Sequence, residues 1–242
     1  MVTKSIGSKL APFLNQIVPL LLSIMTKLDD SSSVDIDNEL SEACLSTLQS
    51  IIRRCPKEVE PYIKDTIESA LNLLSYDPNY VYNDDEEEMQ DEEDAEGWDG
   101  SDFEDEEEDQ ADNDDDSSWK VRRGAISVLE AVVKTRPDFL KIIIKSHSLN
   151  LVDRFKERVD DVKCNLLSMF ESLLVQSTKT APESIDSELA HKTSLTRKDS
   201  AGGLVTDMSA PIVKGLVKQL KHKNLKVRIA ALSTLSCLAL TV

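Results

Sequence analysis

The stretch that decides the fold is Val121-Arg122-Arg123-Gly124-Ala125-Ile126-Ser127-Val128-Leu129-Glu130-Ala131-Val132-Val133-Lys134-Thr135-Arg136-Pro137. Counted from Val121, offsets 4, 8, 11 and 12 are Ala125, Leu129, Val132 and Val133. These positions share one face of a helix with 3.6 residues per turn. Offset 16 is Pro137, whose missing N–H and fixed φ stop a helix. The same template fits three more times. Leu40, Cys44, Leu48, Ile51 and Ile52 satisfy it, with Pro56 at offset 16. Val162, Leu166, Phe170, Leu173 and Leu174 satisfy it again, as do Val227, Ala231, Leu235, Leu238 and Ala239.

Each of these helices has an apolar partner in the preceding sequence: 14–28, 59–74, 139–155 and 212–220. The unit is therefore a helix pair. Successive starts are 81, 41 and 65 residues apart, and the middle spacing matches HEAT-type repeats. The excess in the first gap is filled by an acidic tract and that in the last by a polar, Pro- and Gly-containing stretch. The predicted fold is an all-α HEAT-repeat α-solenoid of about four helix pairs. Its expected divisions are helical repeats over 1–82, a disordered acidic insertion over 83–118, repeats over 119–177, a flexible loop over 178–208 and a truncated repeat over 209–242. The last helix stops without a polar cap, and solenoid ends are normally capped, so a segment of a longer array is expected.

The formal charge of -17 comes from one place. Of the 45 acidic side chains, 22 lie between Asp84 and Asp116, where there is no Lys or Arg, which leaves 23 against 28 basic ones elsewhere. Like charges at that density repel and keep a chain extended. The tract reads as a solvated insertion, with three functional alternatives: calcium binding, a histone or nucleic-acid-mimic role that attracts a basic surface, and folding back on the chain's own positive ladder in competition with a partner. Trp98 and Phe103 are its aromatic anchors, and Ser101, followed by Asp102, Glu104 and Asp105, matches an acid-directed phosphorylation pattern. The tract lacks the ligand alternation and final glutamate of a calcium loop.

A bilayer span needs about 20 apolar residues, and the longest candidate, Ile17 to Met25, is interrupted by Pro19. It is read as a core helix, and a membrane partner is not expected. The four cysteines, Cys44, Cys55, Cys164 and Cys237, have no C-x-x-C spacing, as expected of reduced structural residues in cytoplasm or nucleus. The three histidines are scattered, and no phosphate-cradling glycine motif occurs. The expectation is a protein that is not an enzyme, with no catalytic, cofactor or metal residues. Ser200, after Arg197, Lys198 and Asp199, matches a basophilic phosphorylation pattern.

The first turns of three template helices read Lys120-Val121-Arg122, Asp161-Val162-Lys163 and Lys226-Val227-Arg228. A ladder between neighbouring repeats is the structural interpretation of these charges. Three further strings complete the pattern: Arg53-Arg54-Cys55-Pro56-Lys57-Glu58-Val59 at a repeat junction, Tyr76-Asp77-Pro78-Asn79-Tyr80 before the acidic tract, and Ser118-Trp119-Lys120-Val121-Arg122-Arg123 after it. Together with Arg154-Phe155-Lys156-Glu157-Arg158, they resemble the cullin-associated, neddylation-dissociated proteins, well over 27–179 and more loosely over 210–242.

That resemblance implies a scaffold that wraps a cullin-RING ubiquitin-ligase core lacking its ubiquitin-like modifier and promotes exchange of substrate receptors. The segment would be an internal fragment from the N-terminal half, and its partners would be a cullin and the RING subunit. Nucleic acid is not expected as a partner, and the chain is read as a monomer. Candidate partner-binding residues are the basic positions on or beside the second-layer helices: Lys120, Arg122, Arg123, Arg154, Lys156 and Arg158. Two alternatives remain: a nuclear-transport receptor of the HEAT type, whose arrays also carry an acidic loop, and an acidic chaperone for basic proteins.

Overall fold

The computed structural model describes residues 7–27, 38–76, 117–179 and 200–242. The tract 84–116, with Trp98, Ser101 and Phe103, and most of the loop expected over 178–208 lie outside the described residues, and with them the disorder expected there. Nine α-helices are described: α1 (Leu14–Lys27), α2 (Asn38–Arg54), α3 (Ile63–Leu74), α4 (Ser118–Thr135), α5 (Leu140–Asp153), α6 (Asp160–Lys179), α7 (Ala201–Asp207), α8 (Ser209–Gln219) and α9 (Leu225–Thr241).

The helices pack in two layers, as the template requires. α2, α4, α6 and α9 stack in that order. The other layer holds α1, α3, α5 and the α7–α8 pair, and α1 touches α3 while α5 touches both α7 and α8. The template positions of α4 and α6 are buried throughout. Every buried Val, Leu or Ile on these faces contributes about 1.5–3 kcal/mol relative to exposure. Phe155 and Phe170 meet edge to face at 5.3 Å and close the α5–α6 corner.

The ends of the template differ from the sequence expectation. Leu40 is 44 % exposed while its neighbour Ser41 is buried, so the inward phase of α2 begins one residue later. Ala239 is exposed and Leu235 is only half-buried. α9 is apolar on every side, and Leu225, Ile229, Leu232 and Leu240 lie on its exposed side. Periodicity has no phase to report on such a helix.

The expected flexible loop over 178–208 is corrected at both ends. α6 continues to Lys179, and residues 201–207 form α7. Ser200 caps α7 by accepting from the Gly203 N–H at 3.0 Å, and Ala201 and Val205, one turn apart, are buried. Two glycines weaken a helix intrinsically, but burial of that pair and the cap outweigh them. The Ser200 hydroxyl is thus engaged in the fold, on a residue only 7 % exposed, which argues against the phosphorylation reading. Pro211 has no N–H to continue the α7 ladder, consistent with the break between α7 and α8 at Met208.

The proline stops act as expected. α2 ends at Arg54 and α4 at Thr135, both just before Pro56 and Pro137. Between these two corners lies a connection the sequence reading missed. Arg136 donates to the Pro56 carbonyl at 2.7 Å, is bidentate with Asp138, and pairs with Glu60 at 3.3 Å. Hydrogen bonding to Asp138 holds the Arg136 pKa above its ordinary value and the Asp138 carboxyl below its own. This group fastens successive corners on one edge of the stack.

Candidate partner-binding surface

The opposite edge carries the turns that lead from the first layer into the second, and the candidate basic residues lie there. α4 begins at Ser118, and its first turn presents Trp119, Lys120, Arg122 and Arg123. Arg154, Lys156 and Arg158 belong to the turn between α5 and α6, where a short 3-10 helix spans Arg154–Lys156. Residue 122 lies on the inner side of α4, beside Val121, so its side chain runs into the stack. Arg122 is 1 % exposed. Its guanidinium donates from Nε to Glu157 Oε2 at 3.0 Å and from Nη2 to Oε1 at 3.1 Å. It donates further from Nη1 to the Tyr76 carbonyl at 3.0 Å and the Ser118 hydroxyl at 2.9 Å. Glu157 also accepts from the Val159 N–H at 3.1 Å.

A buried guanidinium requires a partner of this kind, since an unpaired buried charge is prohibitive. Arg122 is therefore withdrawn from the candidate surface: it clamps the fold and has no open face toward a partner. The same position in the next helix is Lys163, also buried, whose ammonium is pulled below its ordinary pKa by desolvation, against the opposing pull of Asp160 and Glu157. In α9 the position is Arg228, which donates to the His222 and Lys223 carbonyls at 2.7 and 2.9 Å. Of the three positions only Arg122 forms the expected charge pair between successive helix pairs, whereas Arg228 secures the turn of its own pair.

The other candidates face outward to different degrees. Lys120 and Arg123 are half-buried and both lie over the Trp119 ring, at 5.9 and 4.8 Å from its centroid. Arg123 pairs with Glu42 of α2 at 3.3 Å. Arg154 is half-buried, whereas Lys156 and Arg158 are exposed. The Arg122–Glu157 pair brings the first turn of α4 against the turn holding 154–158, so the two groups share one edge. Trp119 was not singled out in the sequence reading, although an aromatic ring between two cations is a common interface anchor. On the second-layer face, Arg53 and Glu130 approach to 3.5 Å and Ser233 donates to Glu171 at 3.0 Å.

Among the described residues no group of three or more His, Cys, Asp or Glu is placed to hold a metal, and no helix is long and apolar enough to cross a membrane. His222 contacts Asp160 at 3.4 Å in the turn between α8 and α9, and His147 lies alone in α5.

No family model matches the chain. Relatives do. It is 33 % identical over 232 residues, 96 % of its length, to the cullin-associated NEDD8-dissociated protein 1 of Arabidopsis thaliana. The chain belongs to the cullin-associated NEDD8-dissociated protein family. A Drosophila melanogaster member is 31 % identical over 79 % of the chain, and a Mus musculus protein 2 is 31 % identical over 94 %. The chain spans 15–17 % of the length of these family members. Among solved structures, a designed armadillo repeat protein aligns over 96 % of the chain and 87 % of its own, at 13 % identity and a TM-score of 0.41.

Proposed function

We propose that this chain is a non-catalytic scaffold segment of a cullin-ligase regulator, which binds an unneddylated cullin-RING core and takes part in substrate-receptor exchange. Family membership supports the cullin association. The observation that carries the binding surface is the shared edge, where Lys120, Arg123, Arg154, Lys156 and Arg158 flank the buried Arg122–Glu157 clamp. Such an edge offers positive charge to acidic groups of a partner, and Trp119 adds apolar area within it. In this reading the chain acts as a monomer, in cytoplasm and nucleus, and contacts both the cullin and the RING subunit. The two helix layers supply rigidity, so the surface is pre-formed and little ordering entropy is lost on binding.

The test is equilibrium binding of the chain, with and without residues 84–116, to unmodified and neddylated cullin-RING cores across a salt series. Binding that favours the unmodified core and survives both deletion and moderate salt is expected. Binding that disappears with the tract would assign it to polyanion attraction, as in the acidic-chaperone alternative. Equal binding to both cores would refute the selectivity.

A further inference from the structure

Residues 208–242 contain no Asp or Glu, but hold Lys214, Lys218, Lys221, Lys223, Lys226 and Arg228. They also contain no Phe, Trp or Tyr. The structure sorts these cations by task. Arg228 is committed to two carbonyls of the α8–α9 turn. The five lysines are exposed, and their ammonium groups have no hydrogen bond or ion pair with any described residue.

The packing of α8 fixes where its lysines point. Gly215 abuts the end of α5 and the turn that follows it, where a Cβ would stand 3.2 Å from Val152 Cγ1 and 3.0 Å from Phe155 Cδ2. Ile212, Leu216 and Gln219 are buried. Val213 and Val217, each two residues from Gly215, lie on the side opposite α5 at about 100° per residue. A further helix packed against α8 in the first layer would cover these valines. What remains is the outward side, and Lys214, Lys218 and Lys221 occupy it at the i, i+4, i+7 spacing of a single stripe. Lys223 in the turn and Lys226 in the first turn of α9 continue the positive charge beyond its end.

We propose that this outward face of α8 is a docking surface for an extended, Asp/Glu-rich segment of a partner protein. The axial steps along the stripe are about 6 Å from Lys214 to Lys218 and about 4.5 Å from Lys218 to Lys221, against roughly 6.7 Å between alternate side chains of an extended chain. The long lysine side chains take up the difference, so carboxylates on one side of such a segment meet the lysines in turn. A single-stranded nucleic acid would want aromatic stacking platforms, and residues 208–242 have none. A membrane surface would want bulky apolar residues along the stripe; beside Lys214, Lys218 and Lys221 there are two valines turned to the side, and the exposed Leu225 lies beyond the end of the stripe, in the first turn of α9. α8 packs on the 154–158 turn through Gly215 and Phe155, but its lysine stripe lies on a different side of the helix, and the proposal does not depend on the cullin reading.

The experiment uses fluorescence anisotropy with the whole chain and a labelled peptide alternating Glu and Ser. The same peptide with Gln for Glu, an oligothymidylate and phosphatidylserine vesicles serve as comparison probes. The variant K214E/K218E/K221E is compared with K57E/K64E/K141E, which makes the same change in net charge at other exposed lysines. The expected result is binding of the Glu peptide that weakens about tenfold or more in the first variant and about twofold or less in the second at low salt, with unchanged melting temperatures. The proposal is overturned by absence of Glu-peptide binding, by equal weakening in both variants, or by tighter binding of the oligonucleotide or vesicles at the same face. Binding that emerges only after removal of residues 84–116 also overturns it, because the occupant would then be the chain's own acidic tract.

Discussion

Replacing Arg122 by Met tests the clamp directly. The side chain makes four hydrogen bonds, two of them to Glu157, and the two side chains are 1 % and 5 % exposed. Methionine keeps much of the volume, so the dominant effect is a buried carboxylate that loses its two guanidinium hydrogen bonds and keeps the Val159 N–H and the nearby Lys163 ammonium, together with the loss of the bond to the Tyr76 carbonyl. Breaking a buried pair from one side costs about 3–5 kcal/mol. With a melting-temperature sensitivity of about 2–4 °C per kcal/mol for a chain of this size, the expected drop in Tm is roughly 6–20 °C by circular dichroism. The double variant R122M/E157L removes both charges and should recover a large part of that loss, since apolar replacements of buried pairs are often neutral. A drop of less than about 1 kcal/mol in R122M, or a double variant no better than the single, would refute the account and return Arg122 to the open surface.

Reversing the outer charges in R154E/K156E/R158E should weaken binding of an unmodified cullin-RING core while leaving the melting temperature within a few degrees; parallel loss of both would assign these residues to the fold. The His222 pKa lies below the usual histidine range because of burial, then Lys163, with Lys223 and Arg228 adding to the shift and Asp160 opposing it. A depressed folded-state value means that its contribution is complete above the unfolded value near 6.5 and is lost as pH falls through the folded one. Wild type should therefore lose more Tm between about pH 7.5 and 5 than H222Q does, and identical profiles would contradict this. Burial pushes all four thiols upward, with Asp160 and Asp161 adding to the effect at Cys164 and Glu171 at Cys237. Thiol reagents should react slowly at neutral pH and faster as pH rises, first with the half-buried Cys164 and Cys237; survival of the fast phase in C164S/C237S would show that the buried pair opens readily.

The helix-pair repeat was legible because burial and periodicity coincide in α4 and α6, where both sides of the helix have neighbours. It failed at Leu40 and Ala239, in the outermost second-layer helices among those described, where one flank of the template has no described helix against it. α7 escaped notice because Gly202 and Gly203 dominate its composition, while its signal, Ser200 followed by apolar residues four apart, is short. The candidate surface was legible as a set of cations and not as a set of roles. Arginine next to Val121 reads as exposed by default, and only Glu157, 35 residues further on, makes its burial tolerable. Arg136 was hidden for the same reason, since its carbonyl acceptor at Pro56 is 80 residues away.

Arg122 holds the Tyr76 carbonyl and the Ser118 hydroxyl at once, so the chain leaves and re-enters the array through a single fixed gate. The repeats then need not register how much polypeptide lies between the gateposts. Because closure entropy grows only by about 0.6 kcal/mol for each doubling of a flexible loop, a change in the number of residues between these two posts should cost the stack little as long as the gate holds.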